Sequence, residues 1–529
     1  MEPLEGCEGL IGSFEVKMNW QMPGKILTRE QSIYGVVGEE IIRIWSLSPH
    51  SHRVGTSIRA DLGRKHFVRA HPASCEDLGP EERGVGYYCP QSPEAPYTSE
   101  EQAVEKILEQ ARERAYARLP AVPPELEEAT EAIFTVNGWN IIWPSSKQEA
   151  TPVCSRDWCV LGNYGDHVLF VWDNFFIALA SAEVSADLCK LMLRPQLAVI
   201  KESGLLPGIS CEVGESLDRS MPPVGAWCVW KAYQRTGDIS ILEMSFEPLL
   251  KWHRWFRLHR AKHPLGLLCW GSDPAPLAHP QWQAGNYWGA RYEAGLDNIH
   301  CWDEAEYDEK THTLNLADVG LNALIALDSL CLSEMAGVLE LHHYAAELRE
   351  EGLNHGELIE RTMWDEQDGC YYNSFFDGSF NKRVSPCNFL PLFLPTCSRE
   401  RAERVVKIIT DESRFWLEFA LPNTPKDDPA FRDQYYARGR IWPMINLLVH
   451  QALWAAGFVD TARELAEKCA KTYLPEWRES SYLRENYNAL TGRGDDTWES
   501  DPVYSFGPLL PLITYYQWRD ELALQATMK

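Results

Sequence analysis

Residues 443–470 read Pro443-Met-Ile-Asn-Leu-Leu-Val-His-Gln-Ala-Leu-Trp-Ala-Ala456, then Gly457, then Phe458-Val-Asp-Thr-Ala-Arg-Glu-Leu-Ala-Glu-Lys-Cys-Ala470. Ile445, Leu448, Val449 and Ala452, and after them Val459, Ala462, Leu465 and Cys469, recur at helical spacing, with Gly457 interrupting the run. The stretch predicts two amphipathic helices joined by a tight turn. The same pattern recurs at 174–183, 186–203, 221–236, 240–259, 314–334, 338–363 and 399–410. About a dozen helices, with roughly 35 residues to each helix and its loop, suit paired inner and outer layers. The expected fold is mainly α, an (α/α)6 barrel or six-hairpin toroid. An α-solenoid is the alternative, but no fixed sequence period of the kind that stacked repeats show is visible.

Toward the N-terminus the pattern changes. From about Gly12 to Pro90, β-type runs such as 14–20, 39–47 and 64–69 are broken by Gly, Pro and Ser clusters. A polar stretch from Pro93 ends at Ser99 and two glutamates, after which Val104, Ile107, Leu108 and Ala111 take helical spacing. The expected division is a small β-rich region over 1–98 and a helical barrel over 99–529.

Composition narrows the class. At 529 residues, burial is not limiting, and no stretch reaches the roughly 18 apolar residues of a membrane span. The opening Met1 to Leu10 lacks the basic start and apolar run of a secretory signal, so the cytoplasm is the expected compartment. Fifteen scattered cysteines show no metal-ligand spacing and read as reduced thiols. A net charge of −26 argues against nucleic acid and anionic membrane as partners and favours a neutral or weakly charged ligand. Twenty-one Trp and 21 Tyr fill a large core, and some are expected to line a cleft, since indole faces pack well on the C–H faces of sugars.

Five inter-helix stretches concentrate polar and aromatic residues. They are Val171-Trp-Asp-Asn-Phe-Phe176, Asp218-Arg-Ser-Met-Pro-Pro223, Tyr292-Glu-Ala-Gly-Leu-Asp-Asn298 running on to Trp302 and Asp303, Tyr435 to Pro443, and Arg484-Glu-Asn-Tyr-Asn-Ala-Leu-Thr-Gly492. Each has a plain structural reading: Asp173 as a helix cap with Trp172 packed, Arg219 as a salt-bridge partner, the acidic loop as solvated surface.

Taken together and in this order, they resemble the inverting glycosidases of the trehalase and family 63 clan, especially its bacterial α-glucosidase and mannosylglycerate or glucosylglycerate hydrolase branches. The resemblance covers roughly residues 171–510. It implies Asp297, in the Gly-hydrophobe-Asp-Asn element, as catalytic acid and Glu485, in Glu-Asn-Tyr-Asn, as base. Trp172 and Asp173 match the pair that contacts the nonreducing-end sugar. Arg219 resembles the arginine of an Arg-Ser-Gln-Pro-Pro element, with Met221 replacing the glutamine. Arg438 to Pro443 match Arg-Gly-x-x-Trp-Pro, which implies Trp442 on the cleft wall. Phe176, Asn298, Trp302, Arg438 and Asn486 complete the implied substrate contacts, with Glu293 behind them. After Asn298 the chain runs Ile299-His300-Cys301-Trp302 where the family has Ser-Pro-Arg-Trp.

The reaction this implies needs one carboxyl to protonate the departing oxygen and another, roughly 6.5–9.5 Å away, to activate a water on the opposite face. Asp297 is expected protonated through burial and nearby negative charge, and Glu485 ionised beside hydrogen-bond donors. No metal or organic cofactor is called for, and the partner is a small carbohydrate; the sequence does not specify an oligomeric state. Competing readings are a glycoside phosphorylase, in which phosphate replaces the water, an epimerase, for which His300 is the only histidine inside the motifs, and a catalytically silent carbohydrate-binding protein.

Overall fold

The computed structural model describes the backbone of five strands between residues 25 and 69 and the chain over 119–161, 164–279 and 282–527. The strands β1 (Lys25–Arg29), β2 (Ser32–Val37), β3 (Glu40–Ser46), β4 (Thr56–Asp61) and β5 (Lys65–Arg69) form an antiparallel sheet in sequence order. The expected β-run at 14–20 and the helix start after Ser99 lie outside the described residues.

Helices dominate the rest. Those that carry the architecture are α1 (Pro124–Trp139), α2 (Arg156–Leu161), α3 (Val171–Ser181), α4 (Ala186–Ala198), α5 (Gly225–Thr236), α6 (Ser240–Arg260), α7 (Tyr287–Glu293), α8 (Val319–Val338), α9 (His342–Thr362), α10 (Arg399–Ile409), α11 (Pro443–Ala455), α12 (Val459–Ser480) and α13 (Leu509–Thr527). The 443–470 stretch is the α11–α12 hairpin, turned at Gly457, which sits in the left-handed region at φ +78 that favours glycine.

Burial separates the helices into two kinds. Every residue of α3 is buried, whereas α10 buries only Ala402, Val405 and Ile409. A helix apolar all round must be covered all round, and one with a single apolar stripe needs cover on one face only. Accordingly α3 packs on α5, α5 on α8, α8 on the 3-10 helix Pro386–Phe393, that helix on α11, α11 on α13, and α13 back on α3. Outside this circuit α4 covers α3, α6 covers α5, α9 covers α8, α10 covers the 3-10 helix, and α12 covers α11 and α13. The outer partner of α13 is α1, from the other end of the helical region. α8 is long and apolar enough to cross a membrane by composition, but 89% of its most apolar window lies buried in this packing.

Three sequence expectations need correction. The predicted helix at 314–334 begins at Val319. Thr313–Ala317 before it is a strand that pairs with Cys269–Gly271 and Asn373–Phe375, and Asp318 caps the helix by accepting from the Leu321 amide at 2.7 Å. The start expected at Met221 falls at Gly225, because Pro222 and Pro223 occupy an extended entry. Finally, α1, α2, α7 and α13 lie outside the expected helical segments.

Candidate active site

The inner helices α3 and α11 present their N-terminal ends to one cavity of about 290 Å³, and the chain entering α5 and α13 forms more of its wall. Asp297 and Glu485 both line it, as do Trp172, Asp173, Arg219 and Trp442. Residues from loops far apart in sequence thus meet at one place because the packing circuit closes.

Asp297 follows the short helix α7, which ends at Ala294. Gly295 then turns the chain at φ +66, and a Cβ there would lie 2.4 Å from the Trp172 ring. Only glycine satisfies both the left-handed backbone and that close approach. The Asp297 carbonyl accepts from Arg291 Nε at 2.5 Å. Asn298 fixes the next residue by donating to the Tyr435 carbonyl at 3.2 Å and accepting from the Ala437 amide at 2.9 Å. Trp302 Nε1 donates to the Leu296 carbonyl at 3.1 Å.

Glu485 is held by a second set of contacts. The Tyr487 and Ile441 backbones bridge in both directions, and the Glu485 amide donates to the Asp501 carbonyl at 3.0 Å. Asn486 takes Arg440 Nε on its side-chain oxygen and donates to the Glu499 carbonyl at 2.8 Å. Asp501 in turn accepts from Ser155 Oγ at 2.5 Å and from the Val503 amide at 2.9 Å.

The carboxyls of this cavity are reluctant to ionise. Burial pushes Asp297 up to about 7 against the pull of Arg219 and Arg291, although part of its surface stays open to the cavity. Burial also raises Asp173 to about 7, with the Tyr504 hydroxyl drawing it partly back. Asp173 caps nothing: the residue before α3 is Phe170, no side chain caps that end, and Asp173 Oδ1 is buried without a partner. The expectation of an ionised Glu485 is corrected. Burial pushes it well above the usual carboxylate range, the charges of Asp501, Asp173 and Asp297 add to this, and the Asp501 amide opposes it. For Asp297 the neighbouring charges that matter are cationic, so burial alone does the raising.

Six expected substrate contacts do not line the cavity. Phe176 is fully buried, one helical turn below Trp172 and 6.3 Å from its ring. Glu293 is a buried anchor, accepting from Arg260 Nε and the Gly271 amide at 2.7 Å each and from the Ser220 amide at 2.9 Å. Asn298, Trp302 and Asn486 hold the two acidic loops as described. Arg438 turns to Asp433 and Asp303, at 2.7 and 2.8 Å, pinning the 435–438 turn to the Asp297 loop. His300 is buried between the Thr424 hydroxyl and the Val384 carbonyl, and burial lowers it to about 4.

The sequence reading missed several wall residues. Tyr436 sits at φ +51, a strained conformation for a tyrosine, with its ring edge-on to Trp442 at 4.9 Å. The charges of Glu485, Asp297 and Asp173 all reach its hydroxyl. Tyr504 and Phe506 line the cavity, as do Trp158, Tyr164 and Trp282. Only Tyr436 lay inside a motif; the others stand in loops and a short helix with no recognisable pattern. Among the described residues no three His, Cys, Asp or Glu side chains group as a metal ion requires, and the cysteines are free thiols.

Two acids in one aromatic cavity are the apparatus of a glycoside hydrolase. Residues 167–506 match the mannosylglycerate hydrolase MGH1-like glycoside hydrolase domain. Mannosylglycerate hydrolase MGH1 of Selaginella moellendorffii is 23% identical over 397 residues, covering 61% of this chain and 76% of that protein. The mannosyl-oligosaccharide glucosidase of Saccharomyces cerevisiae is 24% identical over 271 residues, 42% of this chain and 32% of the relative. Among solved structures, the family 63 mannosylglycerate hydrolase of Thermus thermophilus in complex with glucose shares the fold at a TM-score of 0.57 and 22% identity, over 73% of this chain and 99% of that one. Neutral trehalase Nth1 of Saccharomyces cerevisiae shares it at 0.55 and 14% identity, over 78% and 84%. The chain belongs to the family of mannosylglycerate hydrolase MGH1-like glycoside hydrolase domains.

Proposed function

We propose that this protein is an inverting, exo-acting α-glycosidase on an (α/α)6 barrel, with Asp297 as general acid and Glu485 as general base. Its substrate is a small oligosaccharide or a glycosylated small molecule, with glucose as the favoured sugar. The observation that carries the reading is that these two carboxyls, from separate loops, line one cavity, where burial favours the protonated form of Asp297. The closed packing circuit of six inner elements and the likeness in fold to the Thermus and yeast proteins support the barrel.

A volume of about 290 Å³ lies close to the lower end of the roughly 300–1,000 Å³ typical of small-ligand sites, suiting a substrate of one or two rings. Asp173 Oδ1, buried and without a partner, supplies an acceptor for a sugar hydroxyl, and Trp172 and Trp442 shape the ring's surroundings. Asp297, protonated at pH values below about 7, passes its proton to the glycosidic oxygen as the bond from the anomeric carbon breaks. A water on the far side attacks that carbon and gives its proton to the ionised form of Glu485, so the freed sugar has the opposite configuration.

The test is proton NMR during the first seconds of reaction with α-linked disaccharides and glycosylglycerates, with and without phosphate. Appearance of the β-anomer before mutarotation, independent of phosphate, is expected. Initial release of the α-anomer rules out inversion, and a strict phosphate requirement makes the protein a phosphorylase.

A further inference from the structure

The two ends of the cavity differ in chemistry. Glu485 lies beside Asp501, Asp173 and Tyr504, whereas on the Asp297 side Arg219 donates to the carbonyl of Gln283, next to Trp282, at 2.6 Å and lies over the Tyr292 ring at 5.4 Å. Since the acid stands where the leaving group departs, the wall around Tyr164 bounds the leaving-group side. That wall is a braced set of rings. Tyr164 lies between Trp158, at 5.8 Å and 22°, and Trp282, at 6.3 Å and 30°. Phe170 abuts Trp158 and Tyr164 edge-on, and His279 stands 6.0 Å from Trp282. Braced by these neighbours, Tyr164 is fixed, and the group offers a stiff, mostly apolar surface.

Charge points the same way. Among the described residues Arg219 is the only arginine or lysine on the cavity wall. Its Nη1 is committed to the Asp218 carboxylate at 2.7 Å and the Gln283 carbonyl at 2.6 Å. Arg291, nearby, donates to the Asp297 carbonyl and lies over the Trp288 ring at 4.5 Å. A carboxylate entering here meets a cation already paired with an anion, and the neighbouring Asp173, Asp297 and Glu485 carboxyls, whose ionisation burial suppresses, supply no positive charge to compensate it.

Resting on the hydrolase reading above, we propose that the leaving-group side of the cavity is a subsite for a neutral ring, a second sugar or an aryl group, rather than for a small carboxylate such as glycerate. Trp282 and Tyr164 are its specificity-determining residues. A ring covers the aromatic wall and excludes water from it; an acyclic anion leaves the wall bare and is desolvated without a free counter-charge.

The test uses the full-length protein and four kinds of substrate: α-glucosyl and α-mannosyl fluorides, neutral α-linked disaccharides, aryl α-glycosides, and the matching glycosylglycerates. The better neutral-ring substrate is expected to exceed the glycosylglycerate in kcat/KM at least tenfold, and the disaccharide and aryl arms identify which ring is preferred. In Trp282→Ala the ratio of kcat/KM for that substrate to kcat/KM for the fluoride falls about tenfold, and Trp282→Phe, which keeps a ring, recovers most of it. Preference for the glycosylglycerate, or a ratio unmoved by Trp282→Ala, overturns the proposal. Hydrolysis of neither fluoride by the unaltered protein instead defeats the hydrolase reading itself.

Discussion

Glu485 and Asp501 are coupled in both directions: the Glu485 amide donates to the Asp501 carbonyl at 3.0 Å, and the Asp501 amide lies close enough to stabilise the Glu485 carboxylate. After burial, the charge of the Asp501 carboxyl is the largest influence raising Glu485, and Asp501 is itself raised to about 6 by burial. Asp157 and Arg484 are the other charged groups that reach Asp501. Replacing Asp501 by asparagine removes a negative charge at nearly constant shape, so Glu485 ionises at lower pH. The acidic limb of the kcat/KM profile should move to lower pH. A limb that stays in place while the rate falls assigns Asp501 a structural role only.

The roles proposed for Asp297 and Glu485 are separable by leaving group. Asp297→Asn should lower turnover of a natural glycoside by about 10²–10⁴-fold yet spare glycosyl fluoride, whose leaving group needs little protonation. Glu485→Gln should abolish both, because water activation is lost in each case. Steady-state rates on the two substrates, with circular dichroism to confirm folding, decide the assignment. Equal losses in both variants on both substrates contradict it.

Gly295 carries a requirement that no other residue meets, since alanine there faces both φ +66 and the Trp172 ring. Gly295→Ala should destabilise the fold by about 1–3 kcal/mol and lower kcat at least tenfold, as the Asp297 loop shifts to relieve the clash. Chemical denaturation and initial rates measure the two effects. Unchanged kcat would mean that the loop's position does not set the acid's geometry.

His253 provides a pH signature outside the cavity. It is buried between Asp328, 2.8 Å from Nδ1, and Glu351, 3.1 Å from Nε2, and Arg257 adds an ion pair to Glu351 at 2.8 Å. Burial disfavours the imidazolium, but the two carboxylates outweigh it and raise His253 to about 9. Because the folded value lies above the unfolded value of about 6.5, its stabilisation is complete below that pH and is lost as pH rises through about 9. The denaturant midpoint should therefore fall between about pH 6.5 and 9, by a loss on the order of 2–3 kcal/mol, and His253→Gln should flatten that part of the curve.

The motif residues are legible in the sequence where backbone direction fixes the side chain. Trp172 and Asp173 occupy the first turn of α3, and Trp442 immediately precedes α11, so both stretches open onto the cavity. One turn further along, Phe176 shares a face with Trp172 but lies deeper, a difference of depth that a linear motif does not encode. Asn298, Arg438 and Asn486 sit beside cavity residues yet spend their hydrogen bonds on neighbouring loops, which only tertiary packing reveals. The strand 313–317 reads as helix because its apolar residues run on into α8 without a break in hydrophobicity, and Asp318 is the cap that separates them. Tyr164 and Trp282 escape a linear reading because their partnership is a stack between distant segments.

The pairing of α13 with α1 has a consequence for how the protein is made. The wall around Glu485 and Tyr504, and the helix that completes the circuit, come from the last part of the described chain, and their partner was synthesised hundreds of residues earlier. Until that final segment leaves the ribosome, the nascent chain holds a gap where α13 belongs and an uncovered apolar flank on α3 and α11. Closure of the circuit therefore waits on the last helix, and a chain cut before residue 509 is expected to lack it.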